Sequence, residues 1–262
     1  MLSGSTSATS RRRATSPPDT SVVRGLADSL IAILLAPGCA ACTRPLERPT
    51  LGPVCAACWR AVVSIPPPVC AHCGDPLATW RVRDSQSERC PRCRRAPSAI
   101  ALARAVGLYD GSLRAILHAF KYGTRPSLAA PLARLMTDAA GTLLDDVDLV
   151  VPVPLHWRRR RRRGFNQAEA LARRLGKPWQ DALGRTRSTP SQTDLPAAQR
   201  HRNVRDAFAL RRRAEVSGRV VLLVDDVSTT GATLEACARV LRAAGAREVR
   251  ALTDARVVTR AP

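Results

Sequence analysis

Aromatic side chains make up only 3% of this 262-residue chain, and only two lysines, Lys121 and Lys177, stand among its 42 basic residues. With so few rings, alanine, valine and leucine must fill the core, and single-stranded nucleic acid would find few stacking platforms; Trp59 and Trp80 are the candidates. Acidic residues number 21, leaving a formal charge of +21 carried almost wholly by arginine. Such a field attracts polyanions, whether nucleic acid, anionic lipid or phosphorylated small molecules. GC-rich codon usage produces the same arginine- and alanine-rich composition, and that reading stays open. No apolar run reaches the about 20 residues that span a bilayer. Residues 11–13 (Arg-Arg-Arg) and the apolar stretch from Leu30 to Cys39 imitate an export signal, but Asp28 interrupts the run and Pro37 sits at the supposed cleavage point. The four histidines show no spacing that suits a metal or a catalytic triad.

Eight of the nine cysteines form four Cys-x-x-Cys pairs: Cys39/Cys42, Cys55/Cys58, Cys70/Cys73 and Cys90/Cys93. Each pair points two thiolates at one ion, and a second pair closes the tetrahedron. Eight ligands make two structural zinc sites in a reducing, cytoplasmic setting, with no open position for catalysis. Sequential pairing is preferred, and an interleaved arrangement is not excluded. Cys237 stands apart on a helical face with Leu234, Ala238 and Leu241 and reads as a core residue.

Residues 1–20 are Ser, Thr, Arg and Pro and read as a disordered tail. In residues 21–36, Val23, Leu26, Ala27, Leu30, Ile31 and Leu34 recur at helical spacing, predicting an amphipathic helix packed on the domain behind it rather than on a membrane. Residues 37–97 form the cysteine module. From residue 98 the texture changes: strand-like runs (102–109, 147–151, 219–224, 248–252) alternate with helical patterns (112–121, 128–143, 166–175, 232–244). That alternation predicts an α/β domain, a parallel sheet flanked by helices, over residues 98–262. Asn166 with Glu169 suggests a capping box, Gly176 its stop, and Gly245 the end of the last helix.

The stretch "VVLLVDDVSTTGATL" (220–234) carries the chemistry. A buried strand over residues 220–224 ends in Asp225 and Asp226, and a loop of small residues leads into a helix. Ligands bind beyond the carboxyl ends of parallel strands, and a loop of small residues at a helix start cradles phosphate. Hydroxyls of Thr229, Thr230 and Thr233 add hydrogen bonds. Two carboxylates repel phosphate, so they suit ribose hydroxyls and magnesium. The stretch therefore reads as a sugar-phosphate cradle.

It closely resembles the phosphoribosyl pyrophosphate (PRPP) motif of type I phosphoribosyltransferases. "VVPVPLHWRRRRRRGFNQAEALA" (150–172), "SQTDLPAAQRHRNVRDAF" (191–208) and the paired-cysteine stretches "LLAPGCAAC" and "CAHCGDP" are similar to the ComF family. The likeness covers residues 24–258. It implies a type I phosphoribosyltransferase-like domain behind a double zinc ribbon, and magnesium-dependent phosphoribosyl transfer to an unidentified acceptor. By resemblance the PRPP site comprises Val224, Asp225, Asp226, Ser228, Thr229, Thr230, Gly231, Ala232 and Thr233. The catalytic candidates are Asp225, Asp226 and Arg202. Pro152, Val153, Pro154, Arg163, Gln192, Arg200 and Arg205 belong to the pyrophosphate loop and a flap over residues 185–206. The family's association with competence implies a second reading: a PRPP sensor that handles single-stranded DNA through its ribbon and arginines and meets other competence proteins. Arg158, Arg159, Arg160, Arg161 and Arg162 are the nucleic-acid candidates, read as a solvated loop that touches DNA, captures anions or reflects codon usage.

Overall fold

The structure, a computed structural model, describes residues 20–77, 89–123, 125–186 and 206–258. Four parallel strands make the central sheet in the order β1 (Leu102–Leu108), β6 (Glu248–Arg256), β5 (Val220–Ser228), β2 (Leu149–Pro152). Helices α4 (Gly111–Tyr122) and α5 (Ala129–Ala140) follow β1, α6 (Trp157–Arg163) and α7 (Gln167–Ala172) follow β2, and α8 (Ala232–Ala243) joins β5 to β6.

Period-two alternation on β5 builds two cores. Val220, Leu222 and Val224 pack with Phe120, Leu132 and Met136 on one face. Val221 and Leu223 pack with Leu234, Cys237 and Leu241 of α8 on the other. Each such large side chain removed from water contributes about 1.5–3 kcal/mol. Cys237 is fully buried, as its helical position predicts, and burial pushes its thiol well above the ordinary value.

The first cysteine centre, with α2 (Ala56–Arg60), adds Cys39, Leu46, Val54 and Cys58 to the same core as Phe120. Both cysteine centres dock on β1, the edge of the sheet. Leu108 N–H donates to Val63 O at 3.1 Å and Ala103 N–H to His72 O at 2.7 Å. Gly107 permits this approach, because any side chain there would collide with the Val63 carbonyl. The edge is thereby covered.

Several expectations change. Helix α1 (Thr20–Leu35) forms, but Leu26, Leu30 and Leu34 are 63%, 60% and 76% exposed. Ala27 and Ile31 of the same pattern are half-buried, and buried Asp28 accepts the Thr50 amide at 2.8 Å. Strand β5 runs on through both aspartates to Ser228, because β6 is long enough to pair with it up to Ser228–Arg256. The arginine run is helix α6, capped by His156 Nδ1 and ended by left-handed Gly164. Asn166 caps α7 through the Ala168 amide, while Glu169 turns to Arg173 and Arg160 rather than completing a capping box. The short antiparallel ribbon of β3 (Leu183–Arg185) and β4 (Phe208–Leu210) is unanticipated. The tail over residues 1–19 and the flap residues 187–205, with Gln192, Arg200, Arg202 and Arg205, lie outside the described residues, as does Trp80.

Candidate functional site

Beyond the carboxyl ends of β5 and β2 lies a cleft of about 430 Å³. The Val153 amide donates to Val224 O at 2.9 Å, so the backbone after β2 runs on beside β5, and Val153 and Pro154 line the wall. Asn166 Nδ2 donates to Val153 O at 3.2 Å and ties the start of α7 to it. Asp225, Asp226, Thr229 and Thr233 converge on this cleft with Arg159 and Arg163. Ser228, Thr230 and Gly231 line a separate cavity behind the turn. Val224 and Ala232 are buried, Pro152 pairs with Val224 inside the sheet, and the left-handed Gly231 (φ 77°) makes the turn into α8.

The two carboxylates differ. Asp226 is buried and ion-paired with Lys121 Nζ at 3.0 Å. Burial works against the Lys121 charge, yet Asp226 and then Asp225 outweigh it and hold the ammonium above its ordinary value. Asp225 accepts the Asp226 amide at 2.9 Å. Burial, with the neighbouring Asp226 charge, pushes its carboxyl up to about 7. It is therefore the group whose charge calls for a cation or hydroxyl partner. Magnesium suits this acid, which has an oxygen not engaged by the backbone. The same cleft is lined by Arg159, Arg163 and Gln167, whose donors suit an anion; within the wall, Arg163 Nε and Gln167 Nε2 are buried without a hydrogen-bond partner. The rest of the Arg163 fork is anchored, Nη1 to Gln167 Oε1 at 3.1 Å and Nη2 to the Tyr122 hydroxyl at 3.3 Å.

The raised Asp225 carboxyl has a consequence for stability. The folded chain holds this proton to about pH 7, whereas the ordinary value is 3.8. Between those values the folded state binds more protons, so stability falls as pH rises through the window. Discounted for partial solvent access, Asp225→Asn should be about 2 kcal/mol more stable than the parent at pH 8 and close to it at pH 4. Denaturant unfolding at both pH values checks this; an offset independent of pH contradicts it.

Sequence reasoning missed Lys121, although a lone lysine in a helical pattern otherwise served by arginine was a signal. It also missed Asp254 on β6, fully buried with neither oxygen hydrogen-bonded. Burial first, then the nearby Asp226 charge, pushes that carboxyl well above its ordinary value.

The cysteine centres form by sequential pairing: Cys39, Cys42, Cys55 and Cys58, then Cys70, Cys73, Cys90 and Cys93. A tetrahedron with Zn–S of about 2.3 Å requires sulfurs about 3.8 Å apart. Cys39–Cys58 lie at 3.9 Å, Cys42–Cys55 at 3.8 Å and Cys73–Cys90 at 3.6 Å, so both sets fit zinc. Burial opposes ionisation of Cys39, but amides of Cys55, Cys42 and Ala41 bring it down to about 6. Burial, with the neighbouring sulfurs, pushes Cys58 up to about 12. Sulfurs this close are all thiolate only around a cation.

Residues 134–257 match the phosphoribosyl transferase domain and residues 30–96 the double zinc ribbon domain. The parallel sheet with its flanking helices has the type I phosphoribosyltransferase fold, and a double ribbon with two four-cysteine centres precedes it. DNA utilization protein YhgH of Salmonella typhimurium is 36% identical over 231 residues, covering 83% of this chain and 96% of that protein. Competence protein F of Haemophilus influenzae is 32% identical over 208 residues (75% and 87%), and Competence protein ComFC of Bacillus subtilis 28% over 204 (78% and 77%). The chain belongs to the ComF family. Among the described residues no helix is long and apolar enough to cross a membrane.

Proposed function

We propose that the cleft binds PRPP with magnesium and that the protein transfers its phosphoribosyl group to an acceptor yet to be identified. The observation that carries this is the convergence of Asp225, Asp226, Thr229, Thr233, Arg163 and Gln167 on one cleft. Asp225 holds magnesium or the ribose hydroxyls. Lys121 holds Asp226 in place through their ion pair. Thr229 and Thr233 bind the 5′-phosphate at the start of α8, where the helix dipole favours an anion. Arg163 and Gln167 meet the pyrophosphate, whose charge grows as the C1–O bond breaks; fixed donors aimed at developing charge lower that barrier. Magnesium, when bound, neutralises part of the same charge. By the family resemblance Arg200, Arg202, Arg205 and Gln192, outside the described residues, are assigned to the same pyrophosphate chemistry. Two zinc-type centres built from free thiols support a reducing compartment, the cytoplasm.

A second reading has its own observation. Trp157 at the start of α6 is 54% exposed, with Arg158 and Arg161 guanidinium groups 5.2 and 5.6 Å from its ring centre. An exposed ring flanked by cations, with Arg160 and Arg162 also exposed on the same helix, suits single-stranded DNA. The names of the relatives, DNA utilization and competence proteins, agree with a DNA-handling role that uses PRPP as a signal and works with other competence proteins. Turnover separates the readings. With PRPP and magnesium, a panel of nucleobases, amines and DNA ends should yield acceptor-dependent pyrophosphate release. Saturable PRPP binding without release from any acceptor, joined to DNA binding that weakens steeply with salt and on changing residues 158–162 to glutamine, supports the sensor instead.

A further inference from the structure

The turn that closes the cleft has an outer side, and that side is not packed. Ser228, Thr230 and Gly231 face a cavity of about 310 Å³ shared with His72, Arg92 and Glu235. The Ser228 hydroxyl is buried there without a hydrogen-bond partner. Packed side chains therefore do not fix the turn from behind, and polar contacts across the cavity must do so.

One chain of contacts crosses it. Arg92 lies on the short helix α3 (Pro91–Arg95), between the metal ligands Cys90 and Cys93. Its Nη1 donates to the Thr230 carbonyl at 3.1 Å, and its Nη2 reaches Asp75 at 3.3 Å. Asp75 also accepts from Arg256, the last residue of β6, whose Nη1 donates to Cys73 O at 2.8 Å. Arg256 is buried, so this pair is fixed to the sheet. The chain runs from the second cysteine centre through Arg92 to the carbonyl between Thr229 and Gly231. A guanidinium fork spans two acceptors at set angles, which an ammonium cannot do.

We infer that Arg92 is a positioning residue that braces the threonine-glycine turn against the second cysteine centre, so that the fold of that centre sets how well the cleft holds an anion. The affinity arm of this inference rests on the phosphate-binding reading of the turn; the brace itself rests on the contacts alone. Among the described residues the first cysteine centre carries no such chain. Its neighbours are the 3₁₀ turn Pro49–Leu51, α2 and the core around Phe120.

Charge and position predict opposite signs for one variant. Asp75→Asn removes a negative charge near the cleft, so electrostatics alone would tighten anion binding. Loss of the brace would weaken it. The experiment compares the parent with Asp75→Asn, Arg92→Gln and Arg92→Lys in three measurements: zinc content, hydrogen exchange of the peptide covering residues 226–236, and affinity for magnesium-PRPP. Zinc content should be unchanged. Exchange of the turn amides should speed up in Asp75→Asn and Arg92→Gln, and both should bind PRPP about tenfold more weakly, the scale of one charge-assisted hydrogen bond. Arg92→Lys should recover only part of either effect. Unchanged exchange, or tighter binding by Asp75→Asn, overturns the brace. If Asp75→Asn loses zinc because buried Arg256 is left unpaired, Arg92→Gln decides, since the Arg92 side chain is 48% exposed and Arg256 keeps Asp75 as its partner in that variant. If the parent itself ignores PRPP, the phosphate reading of the turn fails, and the exchange measurement still decides the brace.

Discussion

Removing metal with a strong chelator is expected to unfold the second cysteine centre outright and to destabilise the whole chain through the first. Among the described residues the buried cluster around the second centre holds only Cys70, Cys73 and Cys90, with Leu77 and Cys93 packed against it. One leucine contributes about 2 kcal/mol of burial, whereas structural zinc contributes about 10–16 kcal/mol at pH 7. Without the ion, eight sulfurs in two groups within 4.8 Å of one another would face mutual repulsion or burial as thiols. Cys39 and Cys58 of the first centre belong to the core that contains Phe120, so its collapse opens that core as well. Elemental analysis should find two zinc ions per chain, and chelation should lower the melting temperature by well over 10 °C. A metal-free protein that melts like the native one would contradict both centres.

Lys121→Met carries the next largest effect. The change leaves Asp226 buried beside Asp225 and Asp254 with its cation gone. Breaking a buried pair by removing one partner costs about 3–5 kcal/mol, because the remaining charge is uncompensated. The loss should depend on pH. Lys121 keeps its proton across the neutral range because its folded value is raised, so its stabilisation is present below pH 10.5 and is lost only as pH rises through the raised value. In the variant the acids can relieve the strain by taking up protons. The deficit should therefore be large at pH 8 and shrink toward pH 5. Denaturant midpoints at the two pH values measure it, and a deficit below about 1 kcal/mol at pH 8 would show that Asp226 does not depend on Lys121.

The regular alternation of the chain after residue 98 carried most of the fold: each of the four parallel strands and the helices α4, α5 and α8 lie where periodicity placed them. Departures arose where a tertiary partner overrode a local signal. Strand β5 passes the aspartates because β6 offers backbone partners as far as Arg256, which no window around residue 225 reveals. The arginine run is helical because arginine is a good helix former and His156 and Gly164 cap it, whereas charge counting suggested a loop. On α1, Leu26, Leu30 and Leu34 stay exposed while Asp28 is buried, because Asp28 finds an amide across the chain at Thr50. In the cleft, Asp225, Asp226, Thr229 and Thr233 were legible because one contiguous motif holds them, and Arg163 because it belongs to the stretch that follows the end of β2. Lys121 was not, since it comes from a helix some hundred residues earlier. Arg92 was hidden among the ribbon's charges for the same reason.

The most direct measurement is calorimetric titration of PRPP, with and without magnesium, into the parent protein and into the Asp225→Asn/Asp226→Asn double variant. Saturable binding at one site per chain that requires magnesium and vanishes in the variant is the predicted result. No heat from the parent, or equal affinity in the variant, would contradict the claim that the acid pair and the turn form one pocket for an activated pentose phosphate.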